Sequence, residues 1–292
     1  MGSDRSSAVP MTPTQYHGMD REQTKPPLIS VIIPTKNSER TIRECLQSVR
    51  AQTYGNVEII VVDNFSSDST VRVAKKYADT VLMGGPERGS QVKLGVAHCK
   101  GDFVYKIDSD FVLEPNVLEK AIKVALEENA VGVIIPNLSD PKISFWSKVR
   151  FFERLSYVGS SQIEAARFFR RDVYDKVGGH DTNIVAYEEH DLHNRVSKQG
   201  KISRAVGVAE WHIGEPRTLA EIAAKHWYYG KTAHLYAKKY PSLASTQLLP
   251  VRRSLLRQRV TWFRQPKLLL GLIVYDTVKY VSAAFGLLTE LI

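Results

Sequence analysis

Two acids stand one residue apart in YKIDSDF (105–111): Asp108 and Asp110, directly after an apolar run. Like charges this close repel and contribute nothing to a core. In an extended segment residues i and i+2 project to the same side, so both carboxylates can face one hard divalent cation, Mg2+ or Mn2+. Such a cation can neutralise a departing diphosphate. The triplet D-x-D is short and also occurs in loops that cap a following helix. Its place after the strand at 103–107, within an alternating series of strands and helices, favours chemistry.

Other residues have the chemistry to join it. Asp63 ends the run VEIIVVD and could accept hydrogen bonds from a base or ribose, although Ser66, Ser67 and Asp68 suffice to cap the next helix. In GPERGSQVKLG, Arg88 and Lys93 lie at a helix start beside a Gly-rich turn. Cations there oppose the helix dipole unless an anion such as phosphate binds; two solvated cations are the other reading. YEEHDL sets Glu188, Glu189 and Asp191 in the first turn of a helix, where acids are tolerated in any case. A carboxylate there, near a metal-bound donor, could take a proton from an acceptor hydroxyl. His212 in EWHIG stands near a strand end, where a neutral imidazole could complete a metal shell.

The elements that must position these groups follow a rhythm. LISVIIPT, VEIIVVDN, TVLMGG, GDFVYKIDSD and VGVIIPNL read as strands. Between them RTIRECLQSVRAQ, SSDSTVRVAKKY, SQVKLGVAHCK and EPNVLEKAIKVALEEN read as helices, the last with Pro115 in its first turn. Continuously apolar strands alternating with amphipathic helices predict a mostly parallel sheet covered on both faces. Ligands bind such sheets beyond the C-terminal strand ends, where Asp63, Asp108 and Asp110 fall. Later segments predict a helix at 144–159, one ended by Gly200, and a long one ended by Pro241.

In this order the motifs resemble the family 2 glycosyltransferases, inverting enzymes of the GT-A fold. SVIIPTKN is similar to the family's opening strand, VVDNFSSDST to its V-V-D-D-G-S-x-D-x-T, IDSD to its D-x-D, and VGGHDTNIVAYEEHDLHNRV to its G-G-F-D-E…E-D-x-D-L…R block. The match runs over roughly residues 28–215. It implies a Rossmann-like, mostly parallel α/β sheet, a UDP-sugar or GDP-sugar donor, a divalent metal and inversion at the anomeric carbon. By position, Pro34, Thr35, Lys36 and Asp63 would line the nucleotide pocket. Asp108 and Ser109 would sit near the ribose, Asp108 and Asp110 at the metal with His212, and Glu189 where the family usually has an Asp base. Lys36 replaces the usual aromatic, Asn64 a second acid, and Lys93-Leu94 the common Arg-Asn; Glu189 is one methylene longer than Asp. Glu188 and Asp191 remain alternative bases.

The 292 residues, 43% hydrophobic and 24% charged, suit one large domain with an appendage. A net charge of +9 favours anionic partners; with the motifs in view these are a nucleotide sugar and a membrane surface, not nucleic acid. Cys45 and Cys99 form no disulfide framework, and a reducing compartment is expected. Residues 1–27, rich in Ser, Thr and Pro without an apolar stretch, read as a mobile tail, 28–240 as the GT-A domain, and 241–292 as a helical appendage. That last part holds the basic VRRSLLRQRVTWFRQPK, then an apolar stretch about as long as the ~20 residues that span a bilayer. Asp276, Lys279, Ala283, Gly286 and Glu290 make one polar or small stripe along it. A lone transmembrane helix would expose that stripe to lipid; a helix lying in the interface, or packed stripe-inward on protein, would not. Peripheral attachment to the cytoplasmic face of a membrane, and a lipid-linked acceptor such as a polyprenyl phosphate, are therefore expected. A soluble dimerisation helix with a soluble acceptor is the alternative. Two other classes compete: a haloacid-dehalogenase-type phosphohydrolase, which the strands ahead of the D-x-D count against, and a membrane-attached nucleotide-binding scaffold without catalysis.

Overall fold

The computed structural model describes residues 25–160, 162–247, 255 and 259–291. Most of the tail expected at 1–27 lies outside these residues, as do Arg252, Arg253 and Arg257.

Strand β1 (Ile29–Thr35) is buried at every position, as its unbroken apolar run requires. Helix α1 (Ile42–Arg50) buries Ile42, Cys45, Leu46 and Val49, one helical face. Alternation continues through β2 (Val57–Asp63), α2 (Thr70–Ala74), β3 (Thr80–Met83), α3 (Arg88–His98) and β4 (Phe103–Lys106). After only Ile107–Asp110 the chain enters β5 (Phe111–Leu113), a short strand the sequence pattern does not announce. Helix α4 (Val117–Glu127) has Asn116 as its cap, so Pro115 stands just ahead of the helix rather than in its first turn. The single strand expected at 131–138 is two, β6 (Gly132–Ile134) and β7 (Asn137–Ser139), because Pro136 between them has no N–H for a ladder. Then come α5 (Phe145–Tyr157), started by a Ser144–Ser147 capping box, β8 (Phe168–Arg170), α6 (Arg171–Lys176), α7 (Glu188–Val196), β9 (Ile202–Arg204) and β10 (Glu210–His212). Helix α8 (Leu219–Lys239) stops before Pro241, which opens α9 (Pro241–Gln247); α10 (Arg259–Arg264) and α11 (Pro266–Leu291) follow.

Seven strands form the main sheet in the order β3-β2-β1-β4-β8-β6-β9. Its pairs are parallel except those of β8, which runs against β4 and β6. Helices α1 and α4 cover one face; α3, α6 and α7 cover the other. A smaller sheet, β5-β10-β7, sits beyond the end of β4, with His212 opposite both Phe111 and Ser139. These placements confirm a mixed α/β fold with acids at strand exits: Asp63 is the last residue of β2, and Asp108 and Asp110 bridge β4 to β5.

The stretch set apart by sequence as an appendage is packed into the molecule. Leu268, Leu272 and Tyr275 of α11 bury against Val149 of α5 and Ile222 of α8, with Trp262 of α10. The polar and small stripe faces protein. Lys279 pairs with Asp276 at 3.2 Å, and Glu290 with Lys231 of α8 at 3.2 Å. A Cβ at Gly230 would collide with the Ala283 backbone, and one at Gly286 with the carbonyl of Trp227. Glycine lets the two helix backbones touch there. In an exposed helix interior Gly→Ala stabilises by about 1 kcal/mol; Gly286→Ala should instead destabilise by roughly 1–3 kcal/mol, the cost of overpacking. Thermal unfolding measures this, and a raised Tm would refute the close approach.

Candidate active site

One cleft of about 820 Å³ opens beyond the C-terminal ends of β1 and β4, between the sheet and the α8–α11 pair. Pro34, Thr35, Lys36, Arg88, Asp108, Ser109, Asp110, Glu188, Glu189 and His212 all line it. Asp63, Lys93 and Asp191 do not. Asp63 is fully buried, and both its oxygens are occupied by Ser66, through the amide at 2.7 Å and the hydroxyl at 2.6 Å, so it shapes the turn behind β2. Lys93 is exposed on α3. Asp191, a residue of α7, is fully buried and paired with Arg195 at 2.6 Å and Lys239 at 2.7 Å.

The floor is built around a residue the motif reading passed over. Lys106, the last residue of β4, is 2% exposed. Its ammonium lies 2.8 Å from Asp108 Oδ1 and donates to Glu189 Oε1. Arg167, at the entry to β8, pairs with Glu210, stands 3.9 Å from Glu189 and lies over the Phe111 ring. Burial alone would raise the pKa of Glu189, but Lys106 and Arg167 hold it well below the usual carboxylate range. Asp108 is likewise lowered against the cost of burial, by Lys106 and then Arg88. Glu188 goes the other way: burial raises its pKa, and Arg88 at 2.9 Å offsets this only in part. Arg88 also donates to Tyr229 and to the Val185 carbonyl. Tyr187, just before Glu188, is in the left-handed region at φ 67°, a strained state for an aromatic residue.

The small sheet supplies the other side. Asp110 Oδ2 lies 2.9 Å from His212 Nε2, and the imidazole stacks on Phe111 at 4.5 Å. His212 Nδ1 lies 2.9 Å from Glu215, which also receives Ser139 Oγ at 2.5 Å and Arg154 at 3.0 Å. Burial opposes a charged imidazole, but Glu215 and Asp110 on its two sides raise its pKa. Toward the β1 end, Ser109 Oγ donates to Ser38 Oγ at 2.9 Å, and Gln91 ties the Thr35 and Val62 carbonyls together. The buried Thr35 Oγ1 has no protein partner. Sequence reasoning missed Lys106, Arg167 and Glu215; a lysine inside an otherwise apolar strand was the readable signal for the first.

Residues 30–178, about half of the chain, match the profile described as Glycosyl transferase family 2. An uncharacterized glycosyltransferase of Rickettsia typhi is 34% identical over 118 residues, 39% of this chain and 37% of that one. The putative glycosyltransferase EpsH of Bacillus subtilis is 32% identical over 108 residues, 35% and 31% of the two chains. The chain thus spans about a third of the length of these curated relatives. Among solved structures, the mannosyltransferase PcManGT from Pyrobaculum calidifontis, in complex with GDP-Man and Mn2+, superposes with a TM-score of 0.63 at 16% identity, covering 91% of this chain and 87% of that one. S. aureus TarS 1–349 in complex with UDP gives 0.52 at 17%, covering 87% and 90%. At such identities the structures speak for the fold, and the profile speaks for descent: this chain is a member of glycosyl transferase family 2, built on the GT-A fold.

Proposed function

We propose that the cleft moves a sugar, with inversion, from a UDP- or GDP-sugar to a lipid-linked acceptor at the cytoplasmic face of a membrane. One observation carries the reading. A strand-end acid pair, Asp108 and Asp110, shares a single cleft with an ionised carboxylate, Glu189, and an imidazole, His212. Thr35 and Ser38 at the end of β1, with Asp108 and Ser109, would hold the nucleoside.

The donor set suits a hard divalent ion in part. Among the described residues no three His, Cys, Asp or Glu side chains form a cage. Asp110 and His212 nevertheless meet at 2.9 Å, one carboxylate and one imidazole. Mg2+ and Mn2+ sites of this kind take few protein ligands and fill the rest with phosphate oxygens and water. Asp110 and His212 would hold the ion, and its charge would stabilise the leaving diphosphate. Glu189 is the acid left open to the acceptor: its side chain is 23% exposed against 5% for Glu188, and Asp191 lies outside the cleft. Its low proton affinity suits orienting the nucleophile more than storing a proton, as an already ionised acceptor would require.

Membrane attachment is supported by α11. Leu270, Ile273, Val281, Phe285 and Leu288 are exposed along its outer side, and Phe263 of α10 is 81% exposed. An apolar stripe of this kind, broken once by Thr277 along a long helix and next to the exposed Arg264 and Lys267, fits an interfacial helix on anionic lipid.

A panel of UDP- and GDP-sugars with Mn2+ tests the transferase. Wild type should release nucleoside diphosphate, and Asp110→Asn should abolish the Mn2+-dependent thermal shift given by UDP or GDP. Glu189→Gln should keep that shift and lose about 10²-fold or less in turnover, the low end of base catalysis; unchanged turnover would remove Glu189 from the reaction. Lys106→Gln leaves two part-buried carboxylates without their cation, at a cost of roughly 3 kcal/mol. Because the folded-state pKa of Glu189 is depressed, its contribution is full above the unfolded value of about 4.3 and is lost as pH falls toward the folded value. Lys106→Gln should therefore move acid unfolding to higher pH, which a pH series of melting curves reads directly. The 292-residue chain should sediment with anionic liposomes at low salt and be released as salt rises. Protein that stays in the supernatant at low salt would end the membrane reading.

A further inference from the structure

The cleft has a second end, beneath α11, that the donor chemistry leaves unused. Arg150 and Arg154 of α5, Lys225 and His226 of α8, and Lys279 of α11 converge there. The acids beside them are already engaged. Glu153 pairs with Arg150, Glu215 with Arg154 and His212, Asp276 with Lys279, and Glu221 accepts from the Arg217 amide at its helix start. Lys225 makes no ion pair among the described residues, although it is near enough to Asp110 and Glu215 to lower the pKa of both. Arg150 Nε, Arg154 Nε and His226 Nε2 are buried without hydrogen-bond partners. Buried N–H donors left unmet are costly, and two guanidinium Nε–H groups at one end of a cavity, with an unpartnered imidazole nitrogen beside them, mark a place shaped for an acceptor of hydrogen bonds. Burial, with Lys279, Arg150 and Lys225, holds His226 neutral, its pKa down at about 3, a sign of the positive potential at this point.

We propose that this end is the acceptor subsite and takes the phosphate of a phospholipid-like acceptor, whose hydrocarbon chain leaves along α11. The inference rests on the transferase reading above. Two guanidinium groups and an ammonium match the several oxygens of a phosphate better than a single hydroxyl. The same helix that turns Lys279 and Tyr275 inward shows Val281, Phe285 and Leu288 outward. Ala283, Ala284 and Leu287 line the opening between the two sides, so the path from the cations to the apolar face is itself apolar. Lys225 and Asp110 line the same cleft, which sets the phosphate in the space where transfer occurs.

Binding of farnesyl phosphate and of farnesol, both below their micellar concentrations, tests this by calorimetry. Wild type should bind the phosphate at least about 10-fold more tightly than the alcohol, the scale of one charge-assisted hydrogen bond. Lys225→Gln should erase most of that preference and Lys225→Arg should keep it, while UDP and GDP binding with Mn2+ stays unchanged in both. Equal binding of the two prenyl compounds by wild type would overturn the subsite. So would a Lys225→Gln variant that loses UDP or GDP as strongly as farnesyl phosphate, since the cations would then serve the donor. Wild type that binds neither UDP nor GDP with Mn2+ would refute the transferase reading itself, an outcome separate from the other two.

Discussion

A single buried ammonium holds the rim of this molecule together. Taking Lys106 out of water costs several kcal/mol unless carboxylates answer it, and Asp108 and Glu189 do so from opposite sides. Without that charge the two acids would face each other across the cleft and repel. With it, α7 is pinned to the end of β4, Glu189 stays ionised, and Asp108 is aimed along the floor. Direction within the sheet matters as well. Because β8 runs antiparallel, it delivers its entry to the rim where β4 delivers its exit, so Arg167 lies next to Lys106, whose amide donates to the Arg167 carbonyl at 2.9 Å.

The three-stranded sheet solves a different problem. His212 and Asp110 are far apart in the chain, and only pairing of β10 with β5 brings them to 2.9 Å. Pairing of β10 with β7 then adds Ser139, and α5 adds Arg154, so Glu215 anchors the far side of the imidazole. Helices α5, α8 and α11 close the cleft above this chain of contacts. The floor of the cleft and its helical wall thus share side chains instead of meeting at a linker.

What was legible in the sequence follows from range. The buried strands, the α1 face and the acids at strand exits depend on local pattern, and they were readable. Lys106 and Glu215 each have one partner close in sequence, Asp108 and His212. Their place in the site, like that of Arg167, is set by Glu189, Arg154 and Glu210 many positions away, which periodicity cannot supply. Asp63 shows the reverse: its place at a strand end was read correctly, but a serine three residues on satisfies its carboxylate, and it does not line the cleft. The C-terminal stretch was set apart by composition, basic residues followed by an apolar run, and its polar and small stripe left open packing on protein or on a membrane. Backbone contact through Gly230 and Gly286 adds to the burial of Leu268, Leu272 and Tyr275, and together these dock the helix.

The connection Ile107–Asp110 has no slack. It joins a strand of the large sheet to a strand of the small one, and both ends are fixed by ladders to other strands. One added residue would slip β5 against β10 and turn its side chains to the opposite face. Phe111 would then leave His212, and Asp110 would leave the cleft. Gly159, in the turn that ends α5 ahead of β8, is exposed with open space around it, and a change of length there meets no strand ladder. Insertions and deletions in this lineage should therefore gather ahead of β8 and spare the step from β4 to β5.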